Sequence, residues 1–192
     1  MRKCTILALA ILTAAITACK NTSNETTQPQ SEQTTVTAPK PQDFGQFDDI
    51  KLPDTNRNLV SLGDIIKDNK LTIIDFWASW CGPCIEEMPN MVSINNDFKD
   101  KGLGIIGVSL DKDPQPWTNA ISNLGLNWNH VSELKGWGDY LISKYNIEGI
   151  PYTLLVNTDG TIIAKELRGE MLRAFVTEYL ENKDTISNEE KK

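Results

Sequence analysis

The sequence predicts an α/β protein: a three-layer α/β/α sandwich with an N-terminal β-hairpin extension and a central insert. Three observations carry that expectation. Residues 71–77 and 103–110 are apolar on both faces, as strands inside a parallel sheet are. A helical stretch separates them, so the pair makes a βαβ unit with a right-handed crossover. Asn157-Thr158-Asp159-Gly160 then divides two further β-rich runs and marks an antiparallel hairpin.

Taken from the N-terminus, Met1-Arg2-Lys3 is a short basic segment, and residues 5–18 form an apolar run too short to span a bilayer as a helix. The run ends in Ile16-Thr17-Ala18-Cys19, which resembles a bacterial lipobox. On that resemblance residues 1–18 are a lipoprotein signal peptide and Cys19 carries lipid. The mature chain would then be held to a membrane by acyl chains, at about 0.8 kcal/mol per buried methylene. Lys20 stands where enteric lipoproteins kept at the inner membrane have Asp. The expected place is the periplasm or cell envelope, with the outer membrane favoured. Cys4 lies in the discarded piece.

Residues 19–42 are rich in Thr, Gln, Ser, Asn and Pro and read as a disordered tether. Residues 43–182 are the folded domain, long enough for one good core. Residues 183–192 are a polar tail that should fray.

Within the domain, residues 47–52 and 59–62 read as short strands around Pro53-Asp54-Thr55-Asn56. Residues 61–69 suit a short helix, and 71–77 the central strand. Residues 82–99 suit a helix with Ile85, Met88, Val92 and Asn95 along one side. Pro89 should kink it, having no donor for the preceding turn. After the strand at 103–110 come a helix at 116–123, a strand at 128–131 and a helix at 140–145. Residues 111–145 form the insert. The hairpin strands are 152–156 and 161–165. Leu172, Phe175, Val176, Tyr179 and Leu180 fall at helical spacing and close the domain.

The chain of 192 residues has a formal net charge of −7 and no basic stretch, which argues against nucleic acid as a partner. It has four cysteines and one histidine. With Cys4 and Cys19 in the leader, the domain keeps only Cys81 and Cys84.

Trp80-Cys81-Gly82-Pro83-Cys84 follows the central strand and opens a helix. The first thiol sits at the helix N-terminus, where free N–H groups and the dipole favour its thiolate. The second lies one turn on, near enough to close a disulfide. Such a pair exchanges two electrons with another disulfide. Structural zinc wants four N or S ligands, which the domain lacks. Haem attachment wants His after the second cysteine, where Ile85 stands. A structural staple over so short a loop constrains little chain entropy.

Ile74-Asp75-Phe76-Trp77-Ala78-Ser79-Trp80-Cys81-Gly82-Pro83-Cys84, Glu87-Met88-Pro89 and Gly149-Ile150-Pro151-Tyr152-Thr153 together resemble thioredoxin-like proteins, and among them the TlpA/ResA-like thiol-disulfide oxidoreductases. Gly107-Val108-Ser109-Leu110-Asp111 is similar to the AhpC/TSA side of the superfamily. The resemblance implies a thioredoxin-like fold. It makes Cys81 the attacking and Cys84 the resolving member of a redox-active pair. Pro151 would be a cis-proline facing that pair, leaving the Ile150 backbone free for a substrate strand. Trp80, Gly82, Pro83, Ile150 and Pro151 would form the substrate surface. Asp75 matches a buried carboxylate whose raised pKa suits proton exchange with Cys84. Glu87 matches an acidic residue of the cytochrome-maturation members; the alternative is a solvated helix face. Trp77 and Trp80 are expected around the thiols. Trp117, Trp128 and Trp137 are expected in the core, and His130 in a structural role.

The implied enzyme is a tethered thiol-disulfide oxidoreductase without cofactor or metal, reducing protein disulfides. Apocytochrome c is a candidate client, and a membrane partner would supply electrons. A thiol peroxidase is the alternative from the AhpC/TSA-like strand, although the P-x-x-x-T-x-x-C pattern is absent before Cys81. A redox-independent client-binding module is the third reading.

Overall fold

The computed structural model describes residues 36–189, with side chains as far as residue 181. The expected signal peptide, Cys4, Cys19 and most of the expected tether lie outside the described residues. Among those described, no helix is long and apolar enough to cross a membrane.

Two short strands, β1 (Lys51–Pro53) and β2 (Leu59–Ser61), pair antiparallel. Asp54 shapes their turn by accepting from the Asn56 and Asn58 amides, each at 2.8 Å. The first strand is shorter than the sequence suggested. The backbone of residues 42–47 is engaged elsewhere: the Gln42, Phe44 and Phe47 amides donate to Ile163, Ile162 and Gly160. Phe47 stacks on Tyr145 with ring centroids 5.1 Å apart. Ser61 caps α1 (Leu62–Lys67) by accepting from the Asp64 amide at 3.1 Å.

β3 (Leu71–Trp77) is buried at every residue, as its uninterrupted apolar pattern requires. α2 (Gly82–Phe98) runs unbroken through Pro89, which is exposed. Its buried stripe is Cys84, Met88, Met91, Asn95 and Phe98, with Ile94 beside it. Ile85 and Val92, expected on that stripe, are only partly buried at its margin.

β4 (Leu103–Ser109) lies parallel to β3. α3 (Pro114–Leu124) starts two residues before the expected helix, because Asp113 caps it by accepting from the Gln115 amide at 2.9 Å and Pro114 suits the first turn. β5 (Asn129–Val131) pairs parallel with β4, so the insert adds an edge strand. α4 (Tyr140–Lys144) is capped by Asp139.

β6 (Tyr152–Asn157) and β7 (Ile162–Lys165) complete a mixed sheet in the order β5-β4-β3-β6-β7. α5 (Gly169–Glu189) continues well past Leu180. The apolar spacing ends there, but the backbone stays helical through most of the stretch expected to fray. Leu172, Phe175, Val176 and Leu180 are buried as expected.

The sheet sets four residues in one row. Asp75 of β3 is in register with Gly107 of β4 on one side and Thr153 of β6 on the other, and Gly107 is in register with His130 of β5.

Candidate redox site

The site forms where β3 hands over to α2. The Cys81 amide donates to the Ala78 carbonyl at 3.1 Å, turning the chain sharply after the strand. Cys81 is then the N-cap of α2, and its Sγ accepts from the Cys84 amide at 3.2 Å. The sulfur therefore occupies the position where a helix N-terminus stabilises negative charge. Pro83 sits in the first turn, where its missing donor is harmless.

Cys81 and Cys84 are joined in a disulfide, with Cα atoms 5.2 Å apart. Their surroundings differ. Cys81 keeps 6% of its surface, whereas Cys84 keeps none. Only one sulfur can meet an incoming partner. Gly82 and Pro83 are exposed beside it. The Ile150–Pro151 bond is cis, and the Ile150 carbonyl oxygen lies 3.9 Å from Cys81 Sγ. The expected groove residues on both sides of Cys81 are thus together, brought in from α2 and from the start of β6.

Asp75 is buried in the middle of β3, and its Oδ2 has no hydrogen-bond partner among the described residues. Burial pushes its carboxyl up to about 7, and the charge of Glu87 adds to the effect. Glu87 has a task that spacing alone did not reveal. Its Oε1 accepts from the Gly169 amide at 2.8 Å and from Asn90 Nδ2 at 2.7 Å. It is half-buried and ties α2 to the start of α5, while Glu86 faces solvent.

On the other side of Asp75, Gly107 leaves room for its neighbours. A Cβ there would lie 2.5 Å from His130 Nδ1 and 3.1 Å from Trp77 Nε1. Trp77 is fully buried and meets His130 edge-on, with centroids 5.8 Å apart; Trp128 stacks on the imidazole at 5.5 Å. His130 Nε2 bonds the Leu126 carbonyl at 3.2 Å. Burial holds the imidazole down to about 4, although the Leu126 carbonyl favours the charged form. His130 is structural, as expected.

Trp80, next to Cys81, stands 58% exposed. One expectation about tryptophan fails. Trp137 is 48% exposed, not core, because a short 3-10 turn lifts it from the insert surface. Trp117 is buried as expected.

Sequence reasoning also missed Asp111. It is buried, accepts from the Ser79 amide at 2.9 Å and Ser79 Oγ at 2.6 Å, and accepts from Ser109 Oγ at 2.7 Å. Asp111 thereby clamps the loop that carries Trp80 and Cys81. The only signal was Ser109-Leu110-Asp111 at a strand end, a polar pair where an apolar strand stops.

The Redoxin family matches residues 41–178. The thioredoxin domain of a thiol-disulfide oxidoreductase from Bacteroides vulgatus is similar, with a TM-score of 0.66 and 35% identity over 72% of this chain and 98% of that one. The C-terminal domain of a putative thiol-disulfide oxidoreductase from Bacteroides thetaiotaomicron gives 0.68 and 29%, over 74% and 98%. The thiol-disulfide oxidoreductase ResA of Bacillus subtilis is 27% identical over 67% of this chain and 69% of its own. Several other curated relatives are matched over 62% of their length.

Proposed function

We propose, from the premise that this chain belongs to the redoxin family and is a thiol-disulfide oxidoreductase, that it reduces disulfides of exported proteins while tethered to a membrane through lipid on Cys19. The observation that carries the direction of attack is the asymmetry of the pair: Cys81 at a helix N-terminus keeps a small open surface of 6%, while Cys84 is sealed one turn below.

In the reduced enzyme the Cys81 thiolate attacks one sulfur of the substrate disulfide. A Cys81–substrate bond forms, the substrate S–S bond breaks, and the leaving thiolate takes a proton. Cys84 then loses its proton and attacks Cys81 Sγ. The second substrate sulfur leaves as a thiol, and the enzyme ends in the disulfide form seen here, oxidised by the two electrons the substrate gained. Asp75 is our proton acceptor for Cys84. A carboxyl that titrates near 7 can take that proton at neutral pH, which an ordinary carboxylate does poorly. Glu87 is already held by two donors and acts on Asp75 through its charge.

The substrate class is protein disulfides, with apocytochrome c the candidate that the family resemblance supplies. A dithiol partner in the membrane would return the two electrons. Lipid on Cys19 would keep the domain near that partner, in the periplasm or cell envelope, with the outer membrane favoured by Lys20.

Replacing Cys84 with Ala tests the scheme. The first attack remains and the second is removed, so mixed disulfides through Cys81 should accumulate on non-reducing gels. Absence of adducts would sink the mechanism. The reduction potential of the pair decides direction: about −270 mV marks a reductase and about −120 mV an oxidant of new thiols. Cys19→Ser should move the protein from the membrane to the soluble fraction.

A further inference from the structure

Trp80 and Trp137 line one cleft of about 490 Å³, whose remaining wall includes Leu110, Pro116 and Lys112. One indole comes from the redox motif and the other from the insert. Both are about half exposed. Large apolar side chains left open together mark a place where a partner sits, and tryptophan dominates such places.

Neither wall is loose. The Trp137 turn is fastened at several points. Ser132 Oγ donates to the Ser109 carbonyl at 2.7 Å, and the Leu134 amide donates to Ser132 Oγ at 3.0 Å. Glu133 accepts from Lys135 Nζ at 2.6 Å and from the Tyr140 amide at 2.9 Å. Gly136 has φ +60°, and a Cβ there would lie 2.8 Å from Lys112 Cε. On the opposite wall Asp111 clamps Ser79, next to Trp80. The cleft is held open in advance, so an occupant need not order it.

We propose that this cleft receives an apolar side chain, aromatic or long aliphatic, that flanks the reacting cysteine of a substrate polypeptide. The inference rests on the oxidoreductase reading and adds a substrate preference to it. The occupant follows from the chemistry at Cys81. A mixed disulfide brings the substrate cysteine Cα within about 4.4–6.8 Å of the Cys81 Cα. One or two further residues, at about 3.5 Å each, carry the substrate chain to Trp80, the neighbour of Cys81. Any polypeptide that reacts therefore presents a flanking side chain at the cleft mouth. The groove on the Pro151 side, about 350 Å³, sets Glu148, Glu166 and Arg168 beside Ile150, Pro151 and Tyr152, and its three charged side chains suit a polar flank. The apolar flank is left with the tryptophan cleft.

The test uses the full chain, reduced and then freed of reductant, mixed in stopped flow with disulfides. Two cyclic peptides differ only in carrying Phe or Gly beside each cysteine, and glutathione disulfide is the third reactant. The protein dithiol gives two electrons and two protons to each, so no other reductant is needed. The Phe peptide should react about tenfold faster than the Gly peptide. Trp137→Ala should bring that ratio near one, and Trp137→Phe should keep most of it. Equal rates for the two peptides in the natural protein, or a ratio preserved in Trp137→Ala, would overturn the cleft while leaving the redox reading standing. No reaction with any disulfide, glutathione disulfide included, would overturn the oxidoreductase reading and the cleft with it.

Discussion

The β3–α2 junction and the insert at 111–145 serve the same cysteine by different means. At the junction, neighbours in sequence are neighbours in space. One strand end, one turn and one helix start place Cys81, Cys84, Gly82 and Pro83 within a few residues. The insert reaches the site only through the tertiary fold. Asp111 returns to grip Ser79, and Trp137 comes up beside Trp80. The difference teaches where chemistry and selectivity are written: reactivity in a local motif, partner choice in a contact between distant segments.

The strongest way to sharpen that comparison is to remove the charge the junction buries. Asp75 titrates at about 7 in the folded protein against 3.8 for the free side chain. Below about pH 4 the carboxyl is protonated in both states and the folded protein loses nothing. Between about pH 4 and 7 the unfolded chain gives up this proton while the folded chain, unwilling to bury the charge, keeps it. Its stability should fall by about 4 kcal/mol across that window and level off above it. His130 works the other way. Its imidazole titrates at about 4 when folded and 6.5 when free. The unfolded chain takes up the proton first as pH drops below 6.5, so stability falls towards pH 4, by about 3 kcal/mol.

The two slopes oppose each other over much of the acid range. Asp75→Asn should raise stability at pH 8 by a few kcal/mol, change little at pH 4, and uncover the acid loss from His130. Urea unfolding of the oxidised protein from pH 4 to 8 measures this. The same variant should slow release of substrate from the mixed disulfide and flatten its pH dependence near 7. A variant with the natural pH profile would show that Asp75 is not the group that titrates there.

Asp111→Asn tests whether the insert truly supports the junction. The side chain accepts three hydrogen bonds in a buried place, and an amide turns one acceptor into a donor facing donors. The expected loss is about 2 kcal/mol. A looser Ser79 should also raise hydrogen exchange at the amides of residues 79–81. Destabilisation without that local change would mean that Asp111 braces β4 alone.

Much of this was legible in the sequence because it depends on short-range pattern. The strands at 71–77 and 103–109 announce themselves by length and apolar runs, and the redox pair by its spacing. What was hidden depends on placement. Phe47 is apolar and β-prone, yet its segment lies along β7 because that edge has free carbonyls for it. Ile85 and Met91 are alike in composition, and only the angle at which α2 meets the sheet buries one and leaves the other at the margin. Trp137 looks like core until the 3-10 turn raises it. Glu87 reads as a helix-face acid until α5 arrives with an unpaired amide.

That last contact gives the smallest effect and the cleanest division between structure and charge. Glu87→Ala removes the acceptor for Gly169 and Asn90, and should lower stability by about 1 kcal/mol. It also removes the negative charge that helps to raise Asp75. Glu87→Gln keeps an oxygen for the Gly169 amide but not the charge. In that variant stability should stay near the natural value at acid pH, while the Asp75 titration, followed by carboxyl carbon NMR, moves below 7. If Gln lowers stability as much as Ala and leaves Asp75 unmoved, Glu87 belongs to the joint between α2 and α5 and not to the proton chemistry of the junction. If Gln moves Asp75 and slows the resolving step without loosening α5, the carboxylate serves both. In that case the boundary between motif and tertiary support runs through a single side chain.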